Sequence, residues 1–109
     1  MRSKLTLDEQ NKIVAMFVQA LLGAISSNFR RVAIGFEGRT WLLSFVLERE
    51  DAGDREEIED VAGEFDGLIG TLDPLIQPNA LSTEVIVSDG HLEPLDLSRW
   101  SIVFRRREN

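Results

Sequence analysis

A chain of 109 residues, 43% of them hydrophobic, can fill one compact core and leaves no room for a second domain. Its 19 acidic and 12 basic residues give a net charge of −7, and the absence of cysteine excludes disulfides, thiol chemistry and thiolate metal sites. The acidic balance argues against nucleic acid as a direct ligand, which needs clustered Lys and Arg, and no run approaches the ~20 apolar residues that cross a bilayer. The opening Met1-Arg2-Ser3-Lys4 leads into a capped helix rather than the apolar run of a signal peptide, so a cytoplasmic protein is the expectation.

Thr6-Leu7-Asp8-Glu9 has the form of a capping box, in which the Thr6 hydroxyl accepts from the amide of residue 9 and Glu9 reaches back to the amide of residue 6. Behind it, Ile13, Val14, Phe17, Val18, Leu21 and Leu22 recur at three- and four-residue steps and form one apolar helical face, which Gly23 is placed to end. Two strands follow. Val32, Ile34 and Phe36 alternate on one face of the first, Glu37-Gly38 marks a tight turn, and Trp41, Leu43, Phe45 and Leu47 share one face of the second. The other face, with Leu42, Ser44 and Val46, is more apolar than a solvated face needs, so it asks for a cover: a helix or a partner.

Asp54-Arg55-Glu56-Glu57 offers a second capping box, so the second helix is expected to start at Asp54, with Ile58, Val61, Ala62, Phe65 and Ile69 inward and Leu72 as a further candidate for that face. Pro74, Pro78 and Asn79 break the stretch from Thr71 to Leu81 into a loop. Glu84 to Val87 reads as a short strand before a turn at Asp89-Gly90. Arg99 to Arg105 reads as the last strand, with Trp100, Ile102 and Phe104 facing one way. The order is α-β-β-α-β-β. It predicts a single two-layer α+β domain whose sheet is mainly antiparallel, with both helices on one face; the strand order does not follow from it. Trp41 and Trp100 each lead a strand on its more apolar face and are expected in the core.

Little here suggests catalysis. The one histidine, His91, follows a turn glycine and reads as a surface residue. No Walker-type or dinucleotide glycine pattern occurs, and the acids from Glu48 to Asp60 lack the ligand spacing of a calcium loop. No enzyme activity, metal or cofactor is expected. The informative feature is where the charge lies. From Glu48 to Asp66, ten acids face only Arg49 and Arg55, which leaves that stretch at −8, while Arg105-Arg106-Arg107 stand near the carboxyl end. Glu56 and Glu57 suit the first helical turn and its dipole, but Asp60, Glu64 and Asp66 have no such local reason.

Projected at 100° per residue, Gly63, Gly67 and Gly70 fall opposite the apolar side, between a row with Asp60 and Glu64 and another with Glu59 and Asp66. Each glycine costs a helix about 1 kcal/mol relative to alanine. Two explanations stand: the stripe lets a partner approach the backbone between steering carboxylates, or the helix ends after Phe65 and a glycine merely terminates it. On the first, the partner-binding residues are Asp54, Glu56, Glu57, Glu59, Asp60, Gly63, Glu64, Asp66 and Gly67. Arg105 to Arg107 are either a solvated strand end or an internal neutraliser of this helix.

The stretch Leu21-Leu22-Gly23-Ala24-Ile25-Ser26-Ser27-Asn28-Phe29-Arg30, the strand ending Ser44-Phe45-Val46-Leu47-Glu48, and the run Asp54-Arg55-Glu56-Glu57-Ile58-Glu59-Asp60 together resemble small acidic immunity proteins of bacterial contact-dependent growth inhibition and related polymorphic toxin systems. The resemblance spans about half the chain, from the first helix to the middle of the second, and carries over no pattern of binding residues. It implies a cytoplasmic, stoichiometric inhibitor of a cognate toxin domain, often a nuclease. The residues agree with that role, because an acidic face suits a basic, phosphate-handling active site. The alternative is a non-catalytic interaction or adaptor module, a homodimer formed through the apolar face around Leu42 and Val46. A third, a small enzyme built on His91 and nearby carboxylates, finds less support in the sequence.

Overall fold

The computed structural model describes residues 5–108. Met1 to Lys4, read above as the lead into the first helix, lie outside the described residues. Helix α1 spans Leu7–Leu21, strand β1 Phe29–Glu37, strand β2 Thr40–Leu47, helix α2 Ala52–Ile69, strand β3 Ala80–Val87 and strand β4 Trp100–Arg105. The fold is α+β in the expected element order.

The start of α1 is the capping box read from the sequence: the Thr6 hydroxyl accepts from the Glu9 amide at 3.1 Å, and the Glu9 carboxylate accepts from the Thr6 amide at 2.9 Å. Past its end Gly23 takes φ +83°, a conformation that costs a residue without Cβ little. The buried stripe is Ile13, Phe17, Ala20 and Leu21. Val18 and Leu22, expected on it, are exposed: Val18 sits at the margin of a face centred on Ile13 and Phe17, and Leu22 is the C-cap, past the last helical residue.

β1 and β2 form an antiparallel hairpin whose two-residue connection begins with Gly38 at φ +61°. Val32 and Ile34 of β1, with Trp41, Leu43, Phe45 and Leu47 of β2, face the helices. There they meet Ile13, Phe17 and Leu21 of α1 and Ile58, Val61, Phe65 and Ile69 of α2 in one core. Phe17 lies edge-on to Phe45 at 6.0 Å between ring centres and 5.3 Å from Phe65, so an aromatic contact joins both helices to the sheet. Trp41 is buried as expected and stands edge-on to Phe36.

The sheet is mixed, in the order β3-β2-β1-β4. β4 pairs antiparallel with β1, but β3 pairs parallel with β2 along all eight of its residues, from Thr40↔Ala80 to Leu47↔Val87. The turn at Asp89-Gly90 therefore does not close a hairpin. β3 and β4 run in the same direction at opposite edges, and residues 88–99 cross from one to the other. That crossover passes on the face away from the helices: Arg31, which shares that face with Val46 by register, donates from Nη1 to the Glu93 carbonyl at 2.9 Å. The apolar second face thus receives its cover from the chain itself. Val46 and Ala33 are fully buried on it, and Leu42 is half-buried.

A register shift between Val32 and Ala33 changes the reading of β4. Phe104 pairs with Val32 and faces the helices, whereas Trp100 and Ile102 pair with Gly35 and Ala33 and face away. Trp100 is therefore outside the core expected for it. Its ring lies on Gly35, where an added Cβ would come within 2.9 Å of ring carbon. Gly35→Ala is expected to lower stability by roughly 1–3 kcal/mol through this overpacking, measured by urea denaturation, and Trp100→Leu in the same chain should restore most of the loss.

Candidate functional site, the outer face of the second helix

The N-cap of α2 is Asp51, three residues before the Asp54 that the sequence suggested. Both Asp51 and Asp54 are followed three positions on by an acid, and the structure uses the first: the Asp51 side chain accepts from the Asp54 amide at 2.9 Å. Asp54, expected at the docking face, is instead buried in the first turn, where its Oδ2 accepts from Asn28 Nδ2 at 2.9 Å. The negative carboxylate also lies at the positive end of the helix dipole, which offsets part of its desolvation.

Asn28 is the residue that sequence reasoning missed. Its Nδ2 also donates to the Arg49 carbonyl at 2.8 Å, its Oδ1 accepts from the Arg49 amide at 3.0 Å, and its own carbonyl accepts from the Glu48 amide. One amide side chain therefore fixes the link between β2 and α2 and the entry angle of the helix. An Asn directly before a strand, with acids twenty or more residues away, gave no local signal for this.

The helix then runs without interruption to Ile69, and Gly70 is its cap. The early-termination explanation therefore applies to Gly70 but not to Gly63 or Gly67, which lie inside the helix, exposed, with no atom within 4 Å of where a Cβ would stand. Around them Glu56, Glu57, Glu59, Asp60, Glu64 and Asp66 are exposed, and among the described residues none of these six is in a salt bridge. Arg55, on the same helix, is committed to Glu50 through Nη2 at 2.8 Å, and this pairing holds the Glu50 carboxyl below its ordinary value. Arg106 pairs with Glu48, just past the end of β2, and with Glu108, and so is committed away from the helix.

A groove of about 350 Å³ runs beside this face, between Arg55, Ile58, Glu59 and Ala62 of α2 and Thr83 and Val85 of β3. β3 is an edge strand with Ile86 and Val87 partly exposed, so acidic, apolar and unpaired backbone groups adjoin one another. His91 is exposed and lies away from this face, on the rim of a separate cavity beside Arg30 and Arg31. Among the described residues no group of three or more His, Asp or Glu is placed to hold a metal ion.

Two measurements check this construction. Asn28→Ala leaves a buried carboxylate without its donor and should cost roughly 2–3 kcal/mol in urea denaturation, with faster amide exchange in the first turn of α2. Gly63→Ala and Gly67→Ala fill open space on a regular helix, and each should raise stability by about 0.5–1 kcal/mol in the same assay.

Against models of known families, residues 10–108 match the one described as MafI2 immunity protein. No curated protein matches the chain significantly. No helix among the described residues is long and apolar enough to cross a membrane. The family match covers nearly the whole chain, and it agrees with the resemblance to small immunity proteins of polymorphic toxin systems seen in the sequence. The chain belongs to the MafI2 immunity protein family, and its function is immunity against a toxin.

Proposed function

We propose that this protein neutralises its cognate toxin domain by binding it stoichiometrically through the outer face of α2, in the cytoplasm and without catalysis of its own. The observation that carries the reading is the set of six exposed carboxylates on one regular helix, none of them in an ion pair among the described residues. Like charges at helical spacing destabilise the helix that bears them, so their concentration on one side of a small domain asks for an external partner of opposite sign. Gly63 and Gly67 add room for a partner to approach the backbone, and the groove against β3 adds apolar area beside the charge.

The partner surface is basic on this reading, as in an enzyme that handles phosphate, and a nuclease is the toxin class that fits best. Carboxylates on a rigid helix can stand where phosphates would bind. Their long-range field lifts association above the ~10⁵–10⁶ M⁻¹s⁻¹ of unsteered docking. Asp54 drops out of the contact set, because a buried carboxylate held by Asn28 is not available to a partner. Glu56, Glu57, Glu59, Asp60, Gly63, Glu64, Asp66 and Gly67 remain.

The test is stopped-flow association with the cognate toxin domain at two salt concentrations. Asp60→Lys combined with Glu64→Lys should slow association at low salt by roughly tenfold or more and flatten the salt dependence, with the melting curve little changed. Association at the unaltered rate would mean that the acidic row is a solvated face and that the toxin docks elsewhere.

A further inference from the structure

A second, basic site lies around Arg31 and Arg105, on the face of the sheet away from the helices. Arg30 and Arg31 of β1, Arg105 at the end of β4, Arg106 and His91 line a cavity of about 430 Å³, with Glu108 at its side. Two of these arginines are more than nine-tenths buried, Arg30 at 6% exposure and Arg31 at 8%. A buried guanidinium is retained where its donors are used, and those of Arg30 are. Nη1 donates to the Ser88 and Gly90 carbonyls at 2.7 and 2.8 Å, while Nε and Nη2 each donate to the Glu108 carboxylate at 2.7 Å. Arg106 Nη2 donates to the same carboxylate at 2.9 Å. Glu108 thus sits in an arginine fork as an oxyanion would, and those hydrogen bonds, first from Arg30 and then from Arg106, pull its carboxyl down to about 2.

Arg31 is not satisfied in this way. It donates once, to the Glu93 carbonyl, and its buried Nε has no hydrogen-bond partner among the described residues. It also stands directly opposite Arg105 in the β1–β4 register, a like-charge pairing that destabilises a sheet. Arg105 has no ion pair among the described residues. Burial, then the charges of Arg105 and Arg30, lower the pKa of Arg31, and only the field of Glu84 acts the other way. In a chain with a net charge of −7, two adjacent cations without an acid between them, one of them with an orphaned buried donor, line a cavity large enough for a small ligand.

We propose that this cavity is an oxyanion site that takes a phosphate group between Arg31 and Arg105, beside the Arg30–Arg106 fork that Glu108 already occupies. The site lies apart from the α2 face and does not depend on how the toxin binds. Free phosphate and the phosphate of a small ester present the same chemistry to it. Glu108 sets its affinity, because its charge cancels part of the field that would draw in the ligand.

The test is nitrogen-edited NMR of the arginine Nε–H groups of the full chain, titrated with sodium phosphate against sodium chloride at matched ionic strength. The Arg31 Nε–H signal should shift saturably with phosphate and not with chloride. Arg105→Gln, on an exposed residue, should weaken phosphate binding roughly tenfold, and Glu108→Gln should tighten it roughly threefold. A second titration with a nucleoside monophosphate separates the sources. Tighter binding than inorganic phosphate assigns an ester, equal or weaker binding assigns the free anion, and either supports the site. An Arg31 signal that phosphate leaves in place overturns the proposal, as does an Arg105→Gln variant that binds phosphate as well as the unaltered chain.

Discussion

The side chain of Asn28 decides how the two halves of this molecule meet. Pairing both polar atoms of its amide with the backbone of Arg49 extends the hairpin by one side-chain-made bridge, and its second amide hydrogen reaches the carboxylate of Asp54. A helix that starts five residues after the end of a strand can leave in many directions. Here it leaves in the one that keeps Asp54 beside Asn28 and turns Ile58, Val61 and Phe65 onto Phe17, Trp41 and the rest of the core. The contact also explains how a charged group is buried in so small a protein. Asp54 has a donor, a helix dipole and a capped turn around it, and without Asn28 only part of that compensation remains.

With that entry fixed, the charge of the chain separates in space. Six acids of α2 face outward without an ion pair among the described residues, whereas Arg30 of β1 and Arg106 of the carboxyl-terminal segment gather at another site around Glu108 and Glu48. Had Arg105 to Arg107 folded against α2, the domain would have been more nearly neutral everywhere and its helix better stabilised. The stability of α2 comes instead from its inner face, where five residues from Asp54 to Ile69 are buried, so its outer face is free to carry charge that does nothing for folding.

Much of this was legible in the sequence wherever the signal was local. The capping box at Thr6, the Gly38 turn and the alternation through Val32, Ile34, Trp41, Leu43 and Phe45 each depend on neighbours a few residues away, and each appears in the structure. The losses came where one pattern serves two geometries. Asp89-Gly90 marks a turn equally well in a hairpin and at the start of a crossover, so the parallel pairing of β3 was hidden. A bulge near Val103 inverts part of β4, and alternation alone cannot show that one residue has been inserted; Trp100 changed faces for that reason. At α2, Asp51 and Asp54 both fitted the N-cap pattern, and only the distant Asn28 selects between them. The acidic row was visible because helical spacing is local, whereas the basic cavity joins Arg30-Arg31 to Arg105-Arg106 across the β1–β4 register and has no local signature.

The division of charge bears on how an immunity protein of this family can meet its target. On the proposed reading, a basic toxin surface would be drawn to the acids of α2 and repelled by the arginines around Arg31 and Arg105, which would bias the first contacts toward the proposed docking face. Rigidity matters as much as sign. A carboxylate on a frayed segment would lose conformational freedom on binding, whereas those on α2 project from an unbroken helix whose inner side is locked in the core. Gly63 and Gly67 weaken that helix by small amounts without breaking it, because Phe65 between them is fully buried against Phe17. The aromatic contact on the inside is thus what allows two glycines and six uncompensated charges to share the outside of one helix.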